Sequence, residues 1–223
     1  SRRQKTSQKD RKIVQSILAD VRKNGDAAVK KYEQKFNGRK TIQLRLSKQE
    51  TNKAEISVEE FKALKLSAVK LSKQQRNLKK NIVQSVKKIP NVSFVSIPSV
   101  GCYIPGGQAR YPSSAVMSVI TAAEAGVEKI VVVSPPDSNG NIDPMTITVA
   151  KNCGAEIYKI GGAQAIAALA YGTKSVPKVD KIVGPGGKFV SIAKAIVSEE
   201  TSIDMIAGPT ELGIIADTSS NPE

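Results

Sequence analysis

The chain has 223 residues, of which 40% are hydrophobic, and these proportions are typical of a globular protein with a hydrophobic core rather than of a disordered chain. Its formal net charge is +14 and it contains no histidine, which excludes a Ser-His-Asp triad, a Cys-His pair and a histidine-containing zinc site within this chain. The only two cysteines, Cys102 and Cys153, are isolated, which excludes a disulfide framework and a Cys-x-x-Cys metal site and favours a reducing, cytoplasmic compartment.

The positive charge is concentrated in the N-terminal part of the sequence. Residues 1–90 carry 25 Lys and Arg against 8 Asp and Glu, whereas residues 91–223 carry 9 against 12. Clustered basic side chains can bind nucleic acid by releasing counterions from phosphates. No nucleic-acid-binding motif accompanies the charge, and aromatic residues make up only 4% of the chain. We therefore interpret the charge as solvated helix faces, with nucleic-acid binding as the weaker alternative.

Residues 1–90 are predicted to form a basic, mainly helical module with one or two strands. Apolar residues recur at helical spacing from about Asp10 to Lys23, and a second helix is expected over 27–36. The alternation in residues 41–47 predicts a half-buried strand, and Ser57 is a plausible N-cap for a long helix that follows. No apolar run reaches the length of a membrane span, so no membrane partner is expected.

Residues 91–223 are predicted to form a Rossmann-like α/β region that continues into an incomplete second domain. Short, continuous apolar runs separated by helical patterns indicate a parallel sheet with helices on both faces. The strand candidates are residues 93–98, 129–136, 156–161, 180–187 and 202–209. The helix candidates are residues 113–126, 144–154, 162–172 and 188–198.

Four glycine-rich turns follow these strands. They are Ile104–Gly107, Gly161–Gln164, Gly184–Gly187 and Ala207–Thr210. Ligands of such sheets bind beyond the carboxyl ends of the strands, so the turns are expected to converge there with backbone N–H groups free for phosphate oxygens. A single turn of this kind could be only a tight connection. Because no G-x-G-x-x-G is present, a nucleotide would not be held in the usual dinucleotide manner.

The order of several motifs resembles that of histidinol dehydrogenases over residues 10–223. The motifs are GCYIPGG, YPSSAVM, GGAQAIAALAYGT, SVPKVDKIVGPGG and IDMIAGPTE. The resemblance implies a zinc-containing, NAD-dependent oxidoreductase of histidine biosynthesis, which oxidises L-histidinol to L-histidine through an aldehyde. It also implies a homodimer when the enzyme is full length.

The resemblance assigns roles to four positions. Tyr103 and Gln164 match residues that contact NAD, Gly187 stands where the family has a cofactor-contacting Asn, and Thr210 stands where a substrate-contacting Ser is usual. Three of them also have a structural reading: Tyr103 could pack the strand end, Gln164 could bond nearby backbone, and Thr210 could satisfy its turn. Because glycine lacks the amide, Gly187 predicts weak NAD binding.

By the resemblance, the zinc ligands and the catalytic Glu-His pair lie beyond the end of this sequence. We therefore expect no catalytic residue and no metal ligand here, and no activity from the chain by itself. The competing hypothesis is a truncated or diverged relative that binds a nucleotide without catalysis, which the glycine at position 187 and the absence of histidine favour.

Overall fold

A computed structural model of the chain describes residues 8–38, 43–107, 109–206 and 213–220. In this part of the chain the helices are α1 (Gln8–Asn24), α2 (Asp26–Asn37), α3 (Lys48–Asn52), α4 (Val58–Val86), α5 (Pro112–Ala115), α6 (Thr121–Ala125), α7 (Pro144–Asn152), α8 (Gly162–Tyr171) and α9 (Lys188–Val197). A π-helical turn (Val116–Ile120) joins α5 to α6. The strands are β1 (Ser99–Tyr103), β2 (Lys129–Ser134), β3 (Glu156–Lys159), β4 (Lys181–Val183) and β5 (Ser202–Ile203).

The described strands form a parallel, five-stranded sheet in the order β3-β2-β1-β4-β5. This is the Rossmann-like strand order, so the predicted fold class is confirmed. The first strand was predicted wrongly over residues 93–98, because it lies at 99–103 and the apolar side chains before it are exposed. Both segments have an apolar pattern, but only the later one is sandwiched between helices.

Side chains on the two sides of β1 show how the sheet is covered on both faces. Tyr103 belongs to a buried cluster with α1, α2, α8 and α9, whereas Val100 and Cys102 belong to a second cluster with the helical segment 112–125 and α7. Gly101 faces α8 so closely that a Cβ there would lie 2.7 Å from Leu169 Cδ1. The absence of a side chain at residue 101 therefore lets α8 pack directly on the sheet.

The N-terminal helices pack on the sheet in two places. α1 and α2 pack against α8, while α4 packs against α6 and the π-helical turn. A capping box between Ser57 and Glu60 fixes the start of α4, as the sequence indicated. Residues 44–46 run antiparallel beside β3, with Leu46 N–H donating to the Ile157 carbonyl at 2.8 Å, instead of forming a regular strand. The division at residue 90 stays a prediction.

The helices of the structure bear on the prediction that the chain has no membrane-spanning segment. Of the helices in the described ranges, none has both the length and the apolar character needed to span a bilayer.

Candidate functional site at the carboxyl end of the sheet

The site is built where β1 and β4 lie side by side at the centre of the sheet. The connection after β1 leads to β2 on one side, whereas β4 continues to β5 on the other. This is the topological switch point, where a crevice forms outside the carboxyl ends of the strands. The turns 104–107 and 184–187 leave the sheet at this point.

Tyr103, the last residue of β1, connects two of the predicted turns. Its side chain is buried, and its phenol oxygen accepts the Gly162 N–H at 3.2 Å. Its main chain lies against Gly184, where a Cβ would come within 2.1 Å of the Tyr103 carbonyl oxygen. Gly184 also has φ of +110°, a conformation that side-chain-bearing residues rarely adopt. Burial raises the pKa of the Tyr103 phenol, so this group stays protonated at neutral pH.

Gln164 lies in the first turn of α8 and is 2% exposed. Its Nε2 donates to Glu33 Oε1 at 2.8 Å. Its Oε1 is buried and has no hydrogen-bond partner among the described residues. A buried carbonyl oxygen without a partner is costly and calls for an explanation, which makes this atom a candidate acceptor for a ligand group.

Glu33 is the centre of this part of the site, although it comes from α2 in the N-terminal module. It is fully buried, and its two carboxylate oxygens accept three hydrogen bonds, from Gly161 N–H at 2.9 Å, Gln164 Nε2 at 2.8 Å and Asn37 Nδ2 at 2.6 Å. Burial raises the pKa of the Glu33 carboxyl above its ordinary value, while these donors oppose the shift by stabilising the charged form.

On the other side of the switch point, an ion pair between a buried lysine and a partly exposed aspartate holds the turn after β4. Lys194 of α9 is 5% exposed and pairs with Asp204, and its Nζ donates to the Gly184 carbonyl at 3.0 Å. The Asp204 carboxylate accepts the Gly184 N–H at 2.9 Å. Burial acts to raise the pKa of Asp204, but Lys194 and the N–H groups of Gly184 and Met205 outweigh it, so this pKa lies below its ordinary value.

Gly187 lies at the N-cap of α9 and faces open space. It has φ of −67° and ψ of 179°, which any residue can adopt, and a Cβ there would meet no heavy atom of the described residues within 4 Å. The helix that it opens has no side-chain cap in the described part of the chain. This position therefore has room for the asparagine that the resemblance would place here.

The expectation of free backbone N–H groups at these turns was wrong in three places. Gly161, Gly162 and Gly184 donate their N–H groups to Glu33, Tyr103 and Asp204, respectively. The protein itself supplies these acceptors because the turns are packed inside the fold. The turn Ala207–Thr210, with the predicted substrate contact Thr210, lies outside the described residues.

An open cleft of about 750 Å³ lies beside the turn after β1. Gly106 and Gly107 form part of its wall, together with Arg110 and acidic residues of neighbouring segments. Arg110 is bound to Glu60 of α4 at 2.7 Å and to Asp143, the N-cap of α7, at 2.5 Å. These ion pairs hold the segment after the turn against the two helices. Neither Tyr103 nor Gln164 lines the cleft, and Gly187 does not line it either.

The described residues do not form a metal centre. Within the ranges that the structure covers, no group of three or more His, Cys, Asp and Glu side chains is placed to hold a metal ion. The described side chains at this end of the sheet therefore do not fit a zinc ion, and the carboxylate of Asp204 is already paired with Lys194.

The structure brings together Tyr103 and Gln164, on either side of Gly162, and places Gly187 beyond Gly184 on the next turn. Their roles toward a cofactor stay predictions. The sequence patterns did not predict Glu33, Lys194 or Asp204, which organise these turns. A lysine and a glutamate inside amphipathic helices look like solvent-facing residues, so the local pattern carried no signal of their burial.

A family model described as histidinol dehydrogenase matches residues 1–223. The chain is 43% identical over 216 residues to a histidinol dehydrogenase of Dehalococcoides mccartyi (strain CBDB1), an alignment that covers 95% of this chain and 50% of that protein. It is 44% identical over 214 residues to the protein of the same name from Bacillus cereus (strain ATCC 10987 / NRS 248), covering 93% and 50%.

A solved structure gives the same result for the fold. The crystal structure of histidinol dehydrogenase from Elizabethkingia anophelis superposes with a TM-score of 0.81 at 34% identity, over 95% of this chain and 50% of that one. The chain thus spans about half the length of the curated relatives that it matches. On its sequence motifs, its sheet order and these matches, the chain belongs to the histidinol dehydrogenase family.

Proposed function

We propose that the chain is the NAD-binding part of an enzyme that oxidises L-histidinol to L-histidine through the aldehyde. This proposal rests on the contacts of Tyr103 at the switch point. Its phenol oxygen accepts the Gly162 N–H of the turn Gly161–Gln164, and its main chain lies against Gly184. In a Rossmann-like sheet this is the position at which a nucleotide is bound. Family membership supplies the choice of substrate.

In this proposal NAD is held by Tyr103, Gln164 and the turn that ends at Gly187. The unpartnered Gln164 Oε1 and the open space at Gly187 support the assignment, because a bound ligand would satisfy the first and fill the second. When bound, NAD supplies the acceptor for the hydride. The chain's own residues orient it, and Thr210 is proposed to offer its hydroxyl to the substrate.

Zinc and the catalytic Glu-His pair are proposed to come from outside this sequence. The sequence has no histidine, and the described side chains do not fit a zinc site. The cofactor-binding role and the chemical role of the enzyme then reside in different parts of the protein.

Two measurements test this division. NAD titrated into the 223-residue chain is expected to bind weakly, and the chain with NAD, L-histidinol and added zinc is expected to form no NADH. Robust turnover would contradict the placing of catalysis elsewhere, whereas an absence of NAD binding would contradict the cofactor role.

The alternative is a relative that binds a nucleotide without catalysing a reaction. The glycine at position 187 favours it, since the amide of the family motif is missing there. A complete coding sequence that continues with a Gln-x-x-His-type segment would support the enzyme, and a stop codon after residue 223 would support the alternative.

We further propose that the full-length protein is a cytoplasmic homodimer. Exposed apolar side chains on α4 and just after it support an interface, and free cysteines agree with a reducing compartment. These side chains are Val58, Phe61, Leu66, Val69, Leu78, Ile82, Ile89, Val92, Phe94, Val95 and Ile97. The native mass of the full-length protein tests the dimer.

A further inference from the structure

Helix α2, the second helix of the N-terminal module, places a carboxylate at the start of α8, a position that favours a phosphate in other proteins. The Glu33 oxygen Oε1 accepts the Gly161 N–H at 2.9 Å and is fully enclosed by protein. A helix N-terminus attracts an anion because its first N–H groups lack intrahelical partners. Here the anion is a side chain of the protein, and it lies 128 residues away in sequence.

The same carboxylate determines how the Gln164 amide is oriented. An ionised carboxylate has only acceptor atoms, so a neighbouring amide must turn its NH2 group toward it. Gln164 does so, with Nε2 at 2.8 Å from Glu33 Oε1. The other end of the amide, Oε1, consequently points away from Glu33 and has no partner in the described structure.

The unpartnered oxygen lies above Gly162. A Cβ on Gly162 would come within 2.8 Å of Gln164 Oε1, so the space beside this oxygen is kept by the absence of a side chain. Gly162 has φ of +60°. The position therefore favours glycine both for its backbone conformation and for this contact.

We infer that Glu33 is a positioning residue for cofactor binding, which fixes the Gln164 amide so that Oε1 serves as the acceptor for an N–H or O–H donor of the ligand. The inference rests on the proposed function, in which Gln164 contacts NAD. NAD carries such donors in its ribose hydroxyls and its carboxamide. Glu33 itself does not touch the ligand, because its oxygens face Gly161, Gln164 and Asn37.

A purely structural role for Glu33, as a cap of α8, makes a different prediction. Glutamine at position 33 has nearly the same shape, and its carbonyl oxygen can still accept the Gly161 N–H. It also has an NH2 group, so it can pair with either end of the Gln164 amide. Because Glu33 Oε1 accepts both the Gly161 N–H and Gln164 Nε2, the glutamine side chain has two arrangements. With its oxygen at this place it keeps the cap and the amide orientation, and with its NH2 group there it reverses the Gln164 amide and loses the cap. The Glu33→Gln variant thus loosens the constraint on the amide at nearly unchanged shape.

The experiment compares three 15N-labelled proteins by NMR: the unmodified chain, Glu33→Gln, and Gln34→Lys. The last changes the net charge by the same amount at the exposed neighbouring residue, which makes it the matched control. The side-chain NH2 signals of Gln164 are assigned from their absence in Gln164→Leu. Each protein is then titrated with NAD, and the dispersion of the backbone signals shows that it is folded.

We expect the Gln164 NH2 signals to move upfield in Glu33→Gln, because a neutral acceptor replaces a charged one, and to stay in place in Gln34→Lys. We expect Glu33→Gln to weaken NAD binding about fivefold, the effect of one misplaced neutral hydrogen bond, and Gln34→Lys to leave it unchanged. These two results together support the inference.

Three results would overturn it. Unmoved Gln164 signals in Glu33→Gln would show that the carboxylate does not hold the amide. Unchanged NAD affinity in that variant, with binding by the unmodified chain, would show that the orientation is irrelevant to the cofactor. If the unmodified chain gives no NAD-induced shifts, the proposed cofactor role fails, and the positioning role in binding fails with it.

Discussion

Replacing Gly187 by asparagine is expected to strengthen NAD binding. The structure allows the change at little cost, since the backbone at residue 187 has φ of −67° and a Cβ there meets no described atom within 4 Å. The new side chain stands at the N-cap of α9, where asparagine is among the preferred residues. The substitution introduces the amide that the resemblance leads us to expect at this turn.

The size of the effect follows from the two interactions gained. One hydrogen bond to the cofactor contributes about 1 kcal/mol, which corresponds to an affinity about fivefold higher. The cap adds a few tenths of a kcal/mol to the stability of the folded chain. Replacing a glycine at an unstrained position adds about 0.4–1 kcal/mol more, because the unfolded chain loses conformational freedom.

Isothermal titration with NAD and urea unfolding measure these two quantities separately. Gly187→Ala is the control, since it reduces the freedom of the unfolded chain equally but brings no amide. Equal NAD affinities for the asparagine and alanine variants would refute the assignment of residue 187 to the cofactor site. A loss of stability in both variants would refute the interpretation that this position faces open space.

Three further predictions concern buried groups. Gly184→Ala is expected to lower the free energy of unfolding by about 3 kcal/mol, because its Cβ would meet a main-chain carbonyl oxygen at 2.1 Å. The control Gly154→Ala, whose Cβ meets nothing described within 4 Å, should cost about 1 kcal/mol in the same urea unfolding experiment. Equal losses in the two variants would contradict the steric argument. Burial raises the pKa of Cys102 to about 12, so a thiol reagent should label Cys153 first and Cys102 only on unfolding. Peptide mass mapping measures the order of labelling, and early labelling of Cys102 would contradict its burial. The pKa of Glu33 is raised in the folded state, so at pH values just above the ordinary pKa of 4.5 the folded state binds more protons than the unfolded state. As the pH rises from 4.5 through the raised pKa, the unmodified chain should therefore lose stability relative to Glu33→Gln. A stability difference between the two proteins that is constant or changes in the opposite direction would contradict this.

The sheet was predictable because its strands are short, apolar and bounded by glycine or proline. β2 and α8 lie almost where the alternation of apolar runs and helical patterns placed them. The first strand was misplaced because residues 93–98 are as apolar as Ser99–Tyr103. What separates the two segments is burial by helices from distant parts of the chain, which a local pattern does not contain.

The candidate site was predictable only in part. Its glycine turns were recognisable in the sequence, and the resemblance pointed to Tyr103 and Gln164. The acceptors that occupy the turns were not recognisable, since Glu33 lies in a helix rich in charged residues and Asp204 follows a strand of two residues. Their role arises from the tertiary packing, which brings a carboxylate onto a helix start far away in sequence.

The contact between Glu33 and the start of α8 also orders events in time during synthesis. The ribosome must add 128 residues after Glu33 before Gly161 exists, and at about 5–20 residues per second this takes on the order of 10 s. Throughout this interval the Glu33 carboxylate lacks its partners Gly161 and Gln164, and α8 cannot yet cover the face of α1 and α2 that packs on it. The turn that bears Gln164 thus acquires its native form only when α1 and α2, which are synthesised earlier, dock on α8.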